Sequence, residues 1–199
     1  LALNDEAIAR MMSQEFEGEI TLGVPHDIVY PNIPGILRRF NGAFPRMRIN
    51  LISSYTTNLR DLFDRGECSM VLTTEQEAPV SGGEELASVR MCWIGAQGGQ
   101  SWRQRPLRFA SCRQCIFRPS GLRALDDAGI AWEQAVESED DRTIEATVRA
   151  DLAVSLMLED SVPSFLEVID HAGALPELPS YKINFYMSDL LQGPAEQAL

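Results

Sequence analysis

Apolar segments of strand period and of helix period alternate along the first third of the chain, and this alternation limits the fold more than any other feature. Ile20-Thr21-Leu22-Gly23-Val24 is a short apolar strand. Pro31 and Pro34 open a helix whose stripe is Ile33, Ile36, Leu37, Phe40 and Phe44, spaced for one helical face. Met47, Ile49 and Leu51 alternate with Arg48 and Asn50, the period of a strand with unequal faces. Thr56 or Thr57 then caps a helix carrying Leu59, Leu62 and Phe63 and stopped by Gly66, before a third strand over 69–73. A β-α-β-α-β order predicts a parallel sheet, because parallel neighbours need a crossover between them.

The clearest break in composition is 75–85, with Pro79, Gly82 and Gly83. A second α/β set follows. Residues 89–94 and 107–110 read as strands, 119–127 as a helix ended by Gly129, and 132–136 as a strand. Asp140 caps a helix carrying Ile144 and Val148, 152–158 is a buried strand, and 183–187 is the last strand. Ahead of everything, 4–16 reads as a helix with Asn4 as N-cap and Ile8, Met11, Met12 and Phe16 on one face. The expectation is two α/β lobes joined by a hinge; the plainer alternative is a single doubly wound sheet.

Composition narrows the function. The 199 residues, 45% hydrophobic and 23% charged, suffice for one domain or two small lobes. No apolar stretch approaches the ~20 residues that span a bilayer, and no signal-peptide pattern opens the chain. The 17 basic and 29 acidic residues leave a net charge of −12. A surface that grips phosphates must be basic, and the arginines here are scattered, so this chain is not itself expected to bind nucleic acid. Four cysteines are too few for a disulfide scaffold and point to a reducing, cytoplasmic compartment. Beginning at Leu1 without Met, the chain reads as a fragment or a processed product.

Catalytic motifs are mostly missing: there is no GxxxxGK[ST], GxSxG or HExxH. Gly95-Ala96-Gln97-Gly98-Gly99 lacks the spacing of a dinucleotide site and reads as a flexible loop. Cys112-Arg113-Gln114-Cys115 is suited to a redox couple or half a zinc site, or is two small thiols lining a loop. His26-Asp27, following the first strand, reads as an acid/base pair, as a loop that hydrogen-bonds a ligand, or as solvated turn residues. The acidic run Glu137-Ser138-Glu139-Asp140-Asp141 more simply caps a helix than binds a cation. No catalytic residue, metal site or cofactor is therefore expected.

The order of elements resembles the effector-binding region of LysR-type transcriptional regulators, whose fold is that of type 2 periplasmic solute-binding proteins. Three stretches carry the likeness. Gly18-Glu19-Ile20-Thr21-Leu22-Gly23-Val24, the helix over 31–40 and Phe44-Pro45 look like the family's opening strand, "LP-x-L-x-x-F" helix and proline before strand two, with Ile33-Pro34 in place of Leu-Pro. Leu59-x-x-Leu62-x-x-x-Gly66-x-Cys68-Ser69-Met70-Val71-Leu72 is similar to "L-x-x-x-L-x-x-G-x-x-D-x-x-I/L", with Ser69 for the usual Asp. The stretch 136–158 looks like the family's strand, helix and "V-x-A-G-L-G-x-x-x-L-P" run, with Asp151 and Ala153 for the two glycines and Leu158 for the proline. Leu175-Pro176-Glu177-Leu178-Pro179 and Ile130-Ala131-Trp132 are similar to the LrhA-like branch of motility and virulence repressors.

The resemblance implies an effector-sensing domain, with a winged helix-turn-helix lying outside this chain and reading DNA. It implies that 1–16 is the end of a linker helix, 17–89 and 183–199 form lobe I, and 90–182 form lobe II. A homodimer or tetramer is implied, pairing the 31–41 helix and 47–53 strand of one subunit with the 132–137 strand and 143–150 helix of another. A transporter's solute-binding protein and an enzyme on the same fold are the rivals. Strand carboxyl ends should supply the effector site between the lobes: Pro25, His26, Asp27, Ser54, Tyr55 and Thr56 from lobe I; Ser111, Cys112, Arg113, Glu137 and Ser138 from lobe II. Thr56 matches the family position that often holds a ligand carboxylate. Arg113 and the hydroxyls suit a small organic acid, whereas Asp27 and Glu137 suit an amine or an amino-acid-like zwitterion.

Overall fold

The structure, a computed structural model, describes residues 18–80 and 82–188; the helix expected over 4–16 lies outside them. The chain divides into two compact units. One gathers the described residues up to Thr73, Pro79–Leu86 and the residues from Asn184 on; the other gathers Thr74–Ala78 and Ala87–Ile183.

In the first unit β1 (Gly18–Pro25) lies between β2 (Met47–Ser54) and β3 (Met70–Glu75), parallel to both. The β1–β2 register runs from Gly18↔Met47 to Pro25↔Ser54, and the last strand, β9 (Ser180–Met187), follows β3 in the hydrogen-bonded order. Helices α1 (Ile33–Ala43) and α2 (Thr56–Asp64) are the crossovers. Leu59 of α2, Val71 of β3 and Tyr186 of β9 form a buried cluster with Ile52, Leu62 and Phe63 packed against it. Gly23 allows this closeness: a Cβ there would stand 3.0 Å from Leu59 Cδ2 and 3.1 Å from Val71 Cγ2.

In the second unit β5 (Leu107–Cys112) pairs in parallel with β6 (Trp132–Ser138), while β7 (Ser155–Leu158) and β8 (Leu166–Val168) pair antiparallel with β4 (Gly83–Ala96). An isolated bridge between Phe109 of β5 and Val154, the residue before β7, adds a parallel contact. Helices α3 (Arg118–Asp127) and α4 (Asp141–Arg149) follow β5 and β6. The core holds Trp93, Leu107, Phe109, Leu125, Val148, Leu158 and Tyr181. Its two large polar-tipped side chains are paired, as burial demands: Trp93 Nε1 donates to the Pro176 carbonyl at 2.9 Å, and the Tyr181 hydroxyl meets Ser120 Oγ at 2.9 Å and the Ile116 carbonyl at 3.3 Å.

Several expectations need correction. Neither Thr56 nor Thr57 caps α2; the cap is Tyr55, with extended backbone, and Thr56 is the buried first residue of the helix. The apolar run from Leu152 is not all strand, since Leu152 is 51% exposed. It belongs to the turn that closes α4, where Asp151 N–H donates to the Val148 carbonyl and Leu152 N–H to that of Thr147. This is a Schellman closure with Asp151 in the left-handed conformation (φ 55°). Strand β4 begins six residues before the expected 89, in the stretch Gly83-Glu84-Glu85-Leu86-Ala87-Ser88. Three-residue β8 was not foreseen. Asp140 caps α4, its Oδ1 accepting from Arg142 N–H at 3.0 Å.

Candidate functional site

Register brings the expected residues of the first unit together. Pro25 and Ser54 are partners at the matched ends of β1 and β2, so the turn after one strand meets the turn after the other. His26 Nδ1 lies 2.8 Å from Ser53 Oγ, and its ring packs edge-on against Tyr55 with centroids 5.1 Å apart. Ser54 Oγ accepts from Asn58 Nδ2 at 2.8 Å. Asp27 is half-buried in the short helical turn 26–28. Thr56 opens α2, whose first turn has no side-chain cap from Tyr55 and no acidic residue. Such a helix end favours a negatively charged group.

The second unit supplies the other five residues, again through register: Ser111 is the partner of Glu137 and Cys112 of Ser138. Arg113 donates from Nε and Nη2 to Glu137 Oε1 at 2.9 and 2.6 Å, and that hydrogen bond and charge raise the guanidinium's pKa further. Arg118, at the start of α3, places Nη2 3.8 Å from Glu137 Oε2 and donates to Gln134 Oε1 at 3.4 Å. Ser111 is buried, 2% exposed, and its Oγ has no hydrogen-bond partner among the described residues. Cys112 and Ser138 are engaged with the turn into α4: Cys112 Sγ donates to Asp141 Oδ1 at 2.7 Å, and Ser138 Oγ accepts from Asp140 N–H at 3.0 Å. Cys115 sits in the following turn, its N–H on the Cys112 carbonyl at 3.3 Å. Among the described residues no three His, Cys, Asp or Glu side chains gather as a metal-binding group.

Sequence reasoning missed Ser53, Asn58, Gln134 and Arg118, and named Asp141 only as part of an acidic run. The signal for Arg118 was its place beside Pro119 at a helix start just past β5. Ser53 and Gln134 depend on strand register, whereas Asn58 and Asp141 are placed by the first turns of α2 and α4.

The profile of the LysR substrate-binding domain matches residues 13–195. This chain belongs to that family. The HTH-type transcriptional regulator PecT of Dickeya dadantii (strain 3937) is 25% identical over 183 residues, which are 90% of this chain and 57% of PecT. This LysR-family chain thus spans little more than half the length of that curated relative. The cofactor-binding domain of the Cbl transcriptional regulator superposes with a TM-score of 0.73 at 15% identity, covering 94% of this chain and 88% of that one. The effector-binding domain of QuiR in complex with shikimate gives 0.67 at 11% identity, covering 92% and 93%. These structures share the α/β, type 2 periplasmic-binding-protein-like fold of LysR regulatory domains. The matched LysR family is one of regulators, and no helix among the described residues is long and apolar enough to cross a membrane.

Proposed function

We propose that the chain is the effector-sensing part of a cytoplasmic LysR-type transcriptional regulator, without enzymatic activity. It recognises a small organic acid or amino-acid-like molecule through the two strand-end clusters, one in each unit. DNA reading belongs to a helix-turn-helix outside this chain. One observation carries the reading: in each unit adjacent parallel strands end in register beside polar residues, with the start of α2 at one cluster and Arg113 at the other. Shikimate in QuiR is an organic acid, which favours that class over an amine. The lobes proposed are 17–89 with 183–199, and 90–182. The site proposed is Pro25, His26, Asp27, Ser54, Tyr55, Thr56, Ser111, Cys112, Arg113, Glu137 and Ser138.

Calorimetric screening of small acids and amino acids tests this against wild type, Thr56→Val and Arg113→Ala. A ligand whose affinity falls in both variants supports the reading. A tight ligand that neither substitution weakens overturns the site. Homodimer or tetramer formation through α1 and β2 against β6 and α4 of another subunit is part of the same reading; sedimentation as a monomer at tens of micromolar would remove it.

A further inference from the structure

Between Phe109 and Ala110 the β5–β6 register shifts: Phe109 pairs with Gln134, but Ala110 pairs with Val136. Ala135 is the extra residue, a β-bulge. Side chains alternate along a strand, so Gln134 and Glu137, three residues apart, would otherwise face opposite sides of the sheet. The bulge turns Glu137 to the side of Gln134, and Arg118 reaches both. A bulge gives up regular ladder pairing to re-aim a side chain. Here the side chain gained is a carboxylate lying against two guanidinium groups.

We propose that Glu137 is a built-in occupant of an oxyanion seat, and that an oxyanionic effector binds the second unit by replacing it on Arg113 and Arg118. The proposal rests on the effector reading above and adds the ligand's charge class and the group it must displace. Three features favour replacement over a permanent ion pair. The Arg113 and Glu137 side chains are 72% and 31% exposed, and pairs open to solvent are held weakly. Glu137 is tethered and leaves donors unused: Arg118 Nε and Ser111 Oγ are both buried without a hydrogen-bond partner among the described residues. Ser111 is also Glu137's register partner, and register partners point to the same face of a sheet, so its hydroxyl lies on the side where the carboxylate sits. A free oxyanion offers more acceptor positions than the Glu137 carboxylate can present from its fixed stem.

The test uses inorganic sulfate as probe at fixed ionic strength, with binding followed by amide chemical shifts. Glu137→Gln keeps size and removes the charge, and Glu137→Ala gives an independent reading. Each is expected to bind sulfate about five-fold tighter than wild type, the gain set by one solvent-screened ion pair. Adding Arg113→Ala to Glu137→Gln should abolish the gain. Unchanged sulfate affinity in both folded single variants overturns the proposal, as does a gain that survives loss of Arg113. If wild type binds an organic acid through Arg113 while the Glu137 variants bind sulfate and that acid no better, the effector reading stands and the occupant role falls. If the Glu137 variants gain sulfate but no acid or amino acid binds wild type, the seat stands and the effector reading falls.

Discussion

Gly99 leaves open the space that the Asp151 carboxylate fills: a Cβ at Gly99 would lie 2.5 Å from Asp151 Oδ1 and 2.9 Å from the Ala96 carbonyl oxygen. Through that gap Asp151 accepts from Gln100 N–H at 2.9 Å and Ser101 N–H at 3.0 Å. The residue that ends α4 therefore also fastens the loop after β4. Asp151 adopts a left-handed backbone, the conformation that glycine takes most readily. Asp tolerates that conformation better than most side chains, and its carboxylate adds two charge-assisted hydrogen bonds.

Gly99→Ala should destabilise the fold by about 1–3 kcal/mol, the cost of forcing a methyl group into a filled site. One of the atoms it would meet is backbone, so side-chain movement alone cannot relieve the clash. Urea unfolding of the variant against wild type measures this, and an unchanged midpoint would show that the loop gives way freely.

Asp151→Asn should cost about 1 kcal/mol at neutral pH, since neutral hydrogen bonds replace charge-assisted ones at a partly exposed site. Burial works to raise the Asp151 pKa, but the hydrogen bonds from Gln100 and Ser101 together bring it below the usual value. A carboxyl depressed on folding lends stability that is present above its unfolded pKa and lost as pH falls through the folded one. The gap between wild type and variant should thus persist at neutral pH and close below the ordinary carboxylate range. Urea titrations at several pH values check the sign.

Cys92 should resist alkylation. Burial, then the charge of Glu159, push its thiol up to about 12 against the opposing pull of Arg90, and Sγ donates to the Met157 carbonyl at 3.3 Å. The reactive thiolate is scarce at that value. Iodoacetamide labelling at pH 8, read by mass spectrometry, should modify Cys92 on unfolding and not before; labelling in the native state would contradict the burial.

Tyr181→Phe should cost about 1 kcal/mol, because it strips partners from buried groups. The ring stays seated edge-on against Phe117, centroids 4.9 Å apart, while Ser120 keeps only its bond from Gln76 Nε2 at 2.8 Å. Thermal melting of the variant measures the loss.

The helices and central strands were legible in the sequence because their apolar residues recur at one period. The stripe of α1 and the run Ile20 to Val24 are examples, and α4 announced itself through Asp140. What escaped notice is held by backbone pairing or by geometry. The first half of β4 is almost wholly exposed and its apolar residues, Leu86 among them, do not alternate as a strand with one buried face does, and β8 is too short to show a period. Leu152 looked like strand because hydrophobicity does not reveal a left-handed Asp151 one residue earlier. At the candidate site the strand-end residues could be read from topology. The joining of Arg113 and Arg118 on Glu137 could not, because it depends on a bulge at Ala135 that leaves no mark in composition.

Strands β4 and β9 each contribute residues to both units, so neither unit is a contiguous stretch of chain. During synthesis from the N-terminus, β1, β2 and β3 emerge long before Tyr186, which completes the cluster of Leu59 and Val71. The first unit must wait for its closing strand while the entire second unit is made, and Tyr181, in the same strand, reaches the second unit only a few residues before Tyr186 reaches the first. The two units thus finish their cores almost together on the ribosome, and a chain stopped short of Ser180 would leave both open.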